Sequence, residues 1–237
     1  MTDSYISIDL ETTGLEPKHD KIIEIGALRV EKGQVMDSFS TFVNPGRKLE
    51  ERITELTGIR DEDLTDAPYI QDVLPKLLEF MGDLPLLGHS ILFDFSFLKK
   101  AAVNQKLSFE RSAVDTLKIS RKYLTELESR SLDYLCKYYE IPHKAHRALE
   151  DAKATHLLYG KLVEQFLDKE PAEGGLFVPT PLNYQVKRDT PATKAQKEQL
   201  YRLLEQKKIN LPVDIEQLTR SEASRLVDKI KSGQISV

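Results

Sequence analysis

The stretch Ser7-Ile8-Asp9-Leu10-Glu11-Thr12-Thr13-Gly14-Leu15 constrains the fold more than any other part of the chain. Residues 5–10 read as a short buried strand whose apolar run is interrupted by acids. Side chains on a strand alternate faces, so Asp9 and Glu11 point the same way. Two carboxylates side by side at a strand end repel each other and lose hydration. They call for a compensating cation, or else for a solvated strand end followed by a turn at Thr12-Thr13-Gly14. The choice depends on whether other acids converge on the same point.

Residues 22–30 and 35–43 read as two further strands, turning at Lys32-Gly33 as an antiparallel hairpin. From Leu49 the period lengthens. Ile53, Leu56 and Ile59 mark a short helix ending at Thr57-Gly58. Asp66-Ala67-Pro68 opens a longer one carrying Val73, Leu74, Leu77, Leu78 and Met81. Residues 84–88 and 113–115 read as short strands, and 93–103, 116–124, 131–139 and 148–167 as helices. This order predicts an α/β fold, a mixed sheet covered by helices.

The main domain is expected to span residues 1–170. Pro171-Ala172-Glu173-Gly174-Gly175 opens a proline-containing, aperiodic stretch read as a linker over 171–190. Residues 191–237 form a small helical module. Gln196, Leu200, Leu203 and Leu204 lie on one helix, and an amphipathic helix capped by Ser221 runs to Ile230. At about 45 residues the module is near the lower limit for folding alone.

The chain of 237 residues carries a net charge of −4, so bulk charge alone would not hold a nucleic acid. The balance is uneven: residues 187–237 carry 11 Lys+Arg against 7 Asp+Glu, or +4, and the remainder 23 against 31, or −8. An acidic domain can still accept a polyanion where metal ions neutralise its site. The single cysteine, Cys136, excludes an internal disulfide and any multi-cysteine metal site, and reads as a buried helical thiol. No apolar run reaches 18 residues and no signal pattern opens the chain, so a cytoplasmic protein with no membrane contact is expected.

Three further groups bear on the acid pair. Asp94, in Gly88-His89-Ser90-Ile91-Leu92-Phe93-Asp94, falls at the beginning of a helix, where an N-cap would be sufficient explanation. His146 and Asp151 flank the start of the last long helix. Five residues turn about 500° around a helix, so the two converge only if His146 lies in the preceding loop. A solvated loop histidine is the plain alternative. Together, however, four acids at strand ends and helix starts can meet at one edge of one sheet. Hard oxygen donors without cysteine select Mg²⁺ or Mn²⁺ over zinc. Four carboxylates around two such ions suit in-line displacement at a phosphodiester, with a nearby neutral histidine taking the proton of the attacking water.

The ordered set resembles the DEDDh class of 3′→5′ exonucleases, the family that includes the proofreading epsilon subunit of bacterial DNA polymerase III. Asp9-Leu10-Glu11-Thr12-Thr13-Gly14 is similar to its first motif. Gly88-His89-Ser90 through Phe93-Asp94, with Phe97-Leu98, is similar to its second, and His146 with Asp151 to its third. The resemblance covers about residues 4–167. It implies a ribonuclease-H-like fold, two Mg²⁺ or Mn²⁺ ions on Asp9, Glu11, Asp94 and Asp151, and His146 as general base. By the same resemblance Thr12 and Thr13 face the terminal nucleotide, Leu15 and Phe93 wedge or stack against the last bases, and His89 lies in the substrate site. Ser90 stands where the family often has asparagine. The implied partners are single-stranded DNA 3′ ends, with RNA as the alternative substrate, and a DNA polymerase or repair complex. A silent nucleic-acid-binding subunit is the rival from another class. Lys144 and Arg147 flank the histidine loop as phosphate contacts or as a solvated face, and Glu24 and Glu150 are expected to be structural or exposed.

Overall fold

In the computed structural model, which describes residues 1–171, 174–211 and 213–233, the acid-bearing stretch is a strand, β1 (Tyr5–Thr12). It pairs antiparallel with β2 (Ile22–Glu31), which pairs antiparallel with β3 (Gln34–Phe42). Lys32 and Gly33 both take positive φ, +50° and +75°, the two-residue turn whose twist matches that of the strands. There follow α1 (Glu51–Thr57), α2 (Asp61–Thr65), α3 (Ile70–Met81), β4 (Leu86–Gly88), α4 (Leu92–Asn104), β5 (Ser112–Asp115), α5 (Thr116–Tyr123), α6 (Leu132–Tyr138) and α7 (Ala148–Phe166). Helix α3 starts at Ile70, after Pro68, rather than at Asp66.

The sheet runs β3-β2-β1-β4-β5-β6, with β4 parallel to β1 and β5 parallel to β4. Its sixth strand, β6 (Thr180–Pro181), pairs antiparallel with β5 and lies inside the stretch read as linker. The prolines there mark an edge strand, which tolerates a missing N–H on its open side. Phe177, at 1% exposure, belongs to the core as well. Ala172 and Glu173 of the expected boundary lie outside the described residues.

Strand alternation splits the core into two layers. Ile6, Ile8, Leu10, Ile25 and Ala27 pack with α3 and α4 on one face. Tyr5, Leu28 and Val30 pack with α5, α6 and α7 on the other. Ser7, Asp9 and Glu11 share the second face with Tyr5. Tyr5 Oη bonds His156 Nδ1 at 2.9 Å, and Ser7 Oγ donates to the Ala152 carbonyl at 2.7 Å. As the strand number rises the helix number falls, so α7 runs antiparallel to β1 and brings its N-terminus to the acidic end of the strand.

Gly26, paired with Asp9 across the strands, permits this approach. A Cβ there would lie 2.1 Å from the Leu149 nitrogen and 2.2 Å from the Ala148 carbonyl carbon, both backbone atoms of α7. Gly26→Ala is therefore expected to lift the first turn of α7 and to cost about 1–3 kcal/mol, read as a fall in Tm. A Tm unchanged in that variant would show that the helix yields freely at this point.

Contacts divide the chain into two units, residues 1–45 with 49–186 and residues 46–48 with 187–237. In the second, α8 (Lys194–Lys207) and α9 (Arg220–Lys231) enclose Leu200, Ala223, Val227 and Ile230. Thr193 and Gln196 cap α8 reciprocally. The cap of α9 is Thr219, with Glu222, and not Ser221. One residue separates the candidates, and the one followed three positions later by an acid forms the reciprocal pair. No described helix is long and apolar enough to cross a membrane.

Candidate active site

Past Ser7 the neighbouring strand β4 ends, and the backbone of β1 on that side loses its ladder partner. Asp94, the third residue of α4, fills the gap: its Oδ1 accepts the Leu10 N–H at 3.0 Å. The carboxylate thus bridges to β1 while also accepting its own N–H in the first turn of α4, whose N-cap Ile91 carries no side-chain bond. Asp9 and Glu11 project from β1 on the face covered by α7, and Asp151 sits in the first turn of that helix. Asp9, Glu11 and Asp151 each bring an oxygen within 4.8 Å of the others.

Electrostatics mark the cluster as an unneutralised anion site. Burial pushes Asp9 well above the ordinary carboxylate range, and the charges of Asp94, Asp151, Glu11 and Glu24 push it further. Burial also raises Asp94, opposed by its own N–H and that of Leu10 and aided by Glu11 and Asp115. Glu11 is pushed from 4.5 up to about 8 by burial first, then by Asp151 and Glu24, with Arg147 opposing. Crowded carboxylates of this kind bind a hard divalent cation without further rearrangement of donor type. The donor set therefore fits Mg²⁺ or Mn²⁺, with Asp9, Glu11 and Asp151 as the group that would hold it and Asp94 beside Asp9.

The histidines divide unexpectedly. His146 is exposed, at φ +63°, in the loop ahead of α7, and makes no hydrogen bond to the carboxylates among the described residues. His143, three residues earlier and not singled out by the sequence, is buried and bonds Asp151 Oδ1 through Nε2. Its Nδ1 lies 3.7 Å from Asp133 Oδ1 and has no hydrogen-bond partner among the described residues. Helical spacing carries no information about a loop, so nothing local distinguishes His143 from His146; Pro142 alone hints that the chain turns back there.

The residues expected to touch substrate are held in different ways. Leu15 is 82% exposed, a bare apolar side chain beyond the end of β1. Thr12 and Thr13 are buried. The Thr12 hydroxyl donates to the Gly14 carbonyl at 2.6 Å, and Thr13 Oγ1 accepts the Lys21 N–H at 3.0 Å. Phe93 is half-buried, its ring 5.0 Å from that of Phe97. His89 has both nitrogens engaged within the protein, with Thr116 Oγ1 at 2.9 Å and the Arg130 carbonyl at 2.8 Å. Burial lowers its pKa, so it is a neutral brace between β4 and the α5–α6 loop. Ser90 takes φ +73° and gives its N–H to Asp115. Cys136 is buried in α6 and its thiol is pushed up to about 12, which keeps it protonated and inert.

Glu24, read as structural or exposed, is 2% exposed. It faces Glu11 across the β1–β2 pair and receives Arg147 from Nη2 at 2.9 Å. Arg147 is therefore tied inward. Glu150 pairs with Lys153 on the helix surface.

The model of the exonuclease family described as RNase_T matches residues 6–159. The PolC-type DNA polymerase III of Caldanaerobacter subterraneus subsp. tengcongensis is 42% identical over 163 residues, 68% of this chain. The chain spans about 12% of the length of that relative. Exonuclease X in complex with 5′ overhanging duplex DNA aligns over 67% of this chain and 90% of its own, at a TM-score of 0.55 and 25% identity. The nuclease domain of 3′hExo, a DEDDh family member bound to rAMP, aligns over 78% of this chain and 98% of its own. Its TM-score of 0.60 at 19% identity shows a shared fold.

Proposed function

The chain belongs to the RNase_T exonuclease family, and on that premise we propose that it is a metal-dependent 3′→5′ exonuclease. Its substrate in this reading is the 3′ end of single-stranded or frayed DNA, from which it releases nucleoside monophosphates. The observation that carries the reading is the convergence of Asp9, Glu11 and Asp151, with Asp94 bonded to the same strand, at the carboxyl ends of parallel β1 and β4. Open α/β sheets place their ligands there. Two divalent ions held by these carboxylates would supply an activated water and charge stabilisation at the leaving oxygen.

The protein's own part is orientation and proton transfer. His143 is spent on Asp151, whereas His146 is exposed to solvent and makes no hydrogen bond to a carboxylate among the described residues. We assign proton acceptance from the attacking water to His146, with the loop 142–147 supplying its reach. Leu15, bare at the end of β1, is suited to wedge against the terminal base. A DNA preference is favoured by the PolC-type relatives and the DNA complex of Exonuclease X. An association with a DNA polymerase or repair complex belongs to the same proposal.

The test uses 5′-labelled DNA and RNA oligonucleotides of one sequence with Mg²⁺, Mn²⁺ or EDTA. A metal-dependent ladder from the 3′ end is expected, stronger on DNA; faster decay of RNA would make the chain an exoribonuclease. His146→Ala should slow the ladder by about 10²–10⁴-fold with Mn²⁺ affinity retained. No cleavage of either strand would sink the enzyme reading in favour of a binding subunit.

A further inference from the structure

Helix α7 begins without a cap of its own. The residue at its N-cap, Arg147, has no side-chain oxygen and bonds none of the first-turn N–H groups. Nor does the sequence Ala145-His146-Arg147-Ala148 offer the Ser, Thr, Asp or Asn that helix starts favour. Four N–H groups at the start of a helix need partners from elsewhere, and this first turn carries Asp151.

The partner comes from the sheet. Glu24 Oε2 accepts the Ala148 N–H at 3.2 Å, across 124 positions of sequence. The same carboxylate takes Arg147 through Nη2 at 2.9 Å and through Nε at 3.2 and 3.3 Å. Two positions along β2, Gly26 admits the backbone of residues 148 and 149 to the sheet surface. A buried fifth acid beside Glu11 adds repulsion to a site already crowded with charge. A residue serving packing alone would be better neutral. Its geometry shows a different use: it holds the Arg147 guanidinium and the Ala148 N–H at the start of α7, four and three residues before Asp151.

We propose that Glu24 is a positioning residue for the carboxylate cluster. It caps α7 from the neighbouring strand, and with Arg147 it fixes where Asp151 stands relative to Asp9 and Glu11. The proposal rests on the reading of these acids as a metal site and deepens it. Outer partners of metal ligands hold the donor atoms in register, and their loss reduces metal affinity or turnover by about 10–100-fold.

The experiment measures Mn²⁺ binding by electron paramagnetic resonance without substrate, together with kcat and KM on a labelled DNA strand. Glu24→Ala is expected to lose Mn²⁺ affinity by about 10–100-fold and to lose kcat with KM unchanged. Glu24→Gln keeps an acceptor for the Ala148 N–H and gives up the ion pair, and should recover part of both. Should the alanine variant fail to fold, the glutamine variant and Arg147→Ala carry the comparison. Wild-type Mn²⁺ affinity in Glu24→Ala, or a fall in Tm with no change in affinity, overturns the proposal. Because binding is read without turnover, a wild-type protein that binds paired Mn²⁺ and cuts nothing would count against the nuclease reading alone.

Discussion

Replacing Asp9 by alanine is expected to abolish cleavage while making the metal-free protein more stable. Asp9 is one of three acids whose oxygens lie within 4.8 Å of each other, so its removal takes a donor from the centre of the site. Metal charge stabilisation in a transition state is worth several kcal/mol, and each 1.36 kcal/mol is tenfold in rate, which makes the loss about 10³-fold or more. Folding responds in the opposite direction. Asp9 is raised by burial and by four neighbouring acids, so the ionised side chain opposes the folded state. Its loss also relieves the acids that remain. Each kcal/mol relieved should raise Tm by about 2–4 °C for a chain of this size. The check is a melting curve in EDTA beside a cleavage assay in Mn²⁺. A variant that is both inactive and less stable would mean that Asp9 supports the fold rather than a cation.

The second large effect is on the pH dependence of stability, and metal should flatten it. Glu11 binds its proton with a value raised from 4.5 to about 8, and Asp9 and Asp94 move in the same direction. The folded state therefore holds more protons than the unfolded chain between these limits. Stability rises with pH only where the unfolded state holds more protons, so here it falls. The contribution is fully present below about pH 4.5 and is lost as the pH rises through about 8. For Glu11 alone the change is on the order of a few kcal/mol. His89 and His156, both lowered by burial, act against this trend by gaining stability as the pH passes their ordinary value of 6.5. The slope is therefore best read as the difference between wild type and Asp9→Ala in EDTA. Divalent metal at about 100 times its Kd adds about 2.7 kcal/mol per site and competes with the protons, so the decline should flatten. A wild-type Tm that climbs from pH 5 to 8 in EDTA relative to the variant would show the carboxylates to be well hydrated and apart.

How far the sequence could be read follows from the range of the forces involved. Strand alternation put Asp9 and Glu11 on one face with no knowledge of what covers it. The two-residue turn at Lys32-Gly33 needs only its own dihedral angles, and the helical period of Val73, Leu74, Leu77 and Met81 needs only its own helix. The ordered motifs that suggested the family are short for the same reason.

Where the reading went astray or stayed open, the deciding contact spans a long stretch of chain. The prolines near residue 180 look like a linker until β5 offers them an edge. Asp94 looks like a cap until the end of β4 exposes the Leu10 N–H, 84 positions away. Glu24 looks like one more strand acid until α7 lays Arg147 and Ala148 upon it. Two histidines three residues apart in one loop cannot be ranked by periodicity, and only the path of that loop puts His143 on Asp151. The sequence by itself determined which acids the chain has to accommodate and the face on which the first two stand. The packing of α7 on the sheet, admitted by one glycine and held by one buried carboxylate, decided where they meet. Local rules act over a few bonds, whereas a site built from β1, α4 and α7 exists only once the layers close.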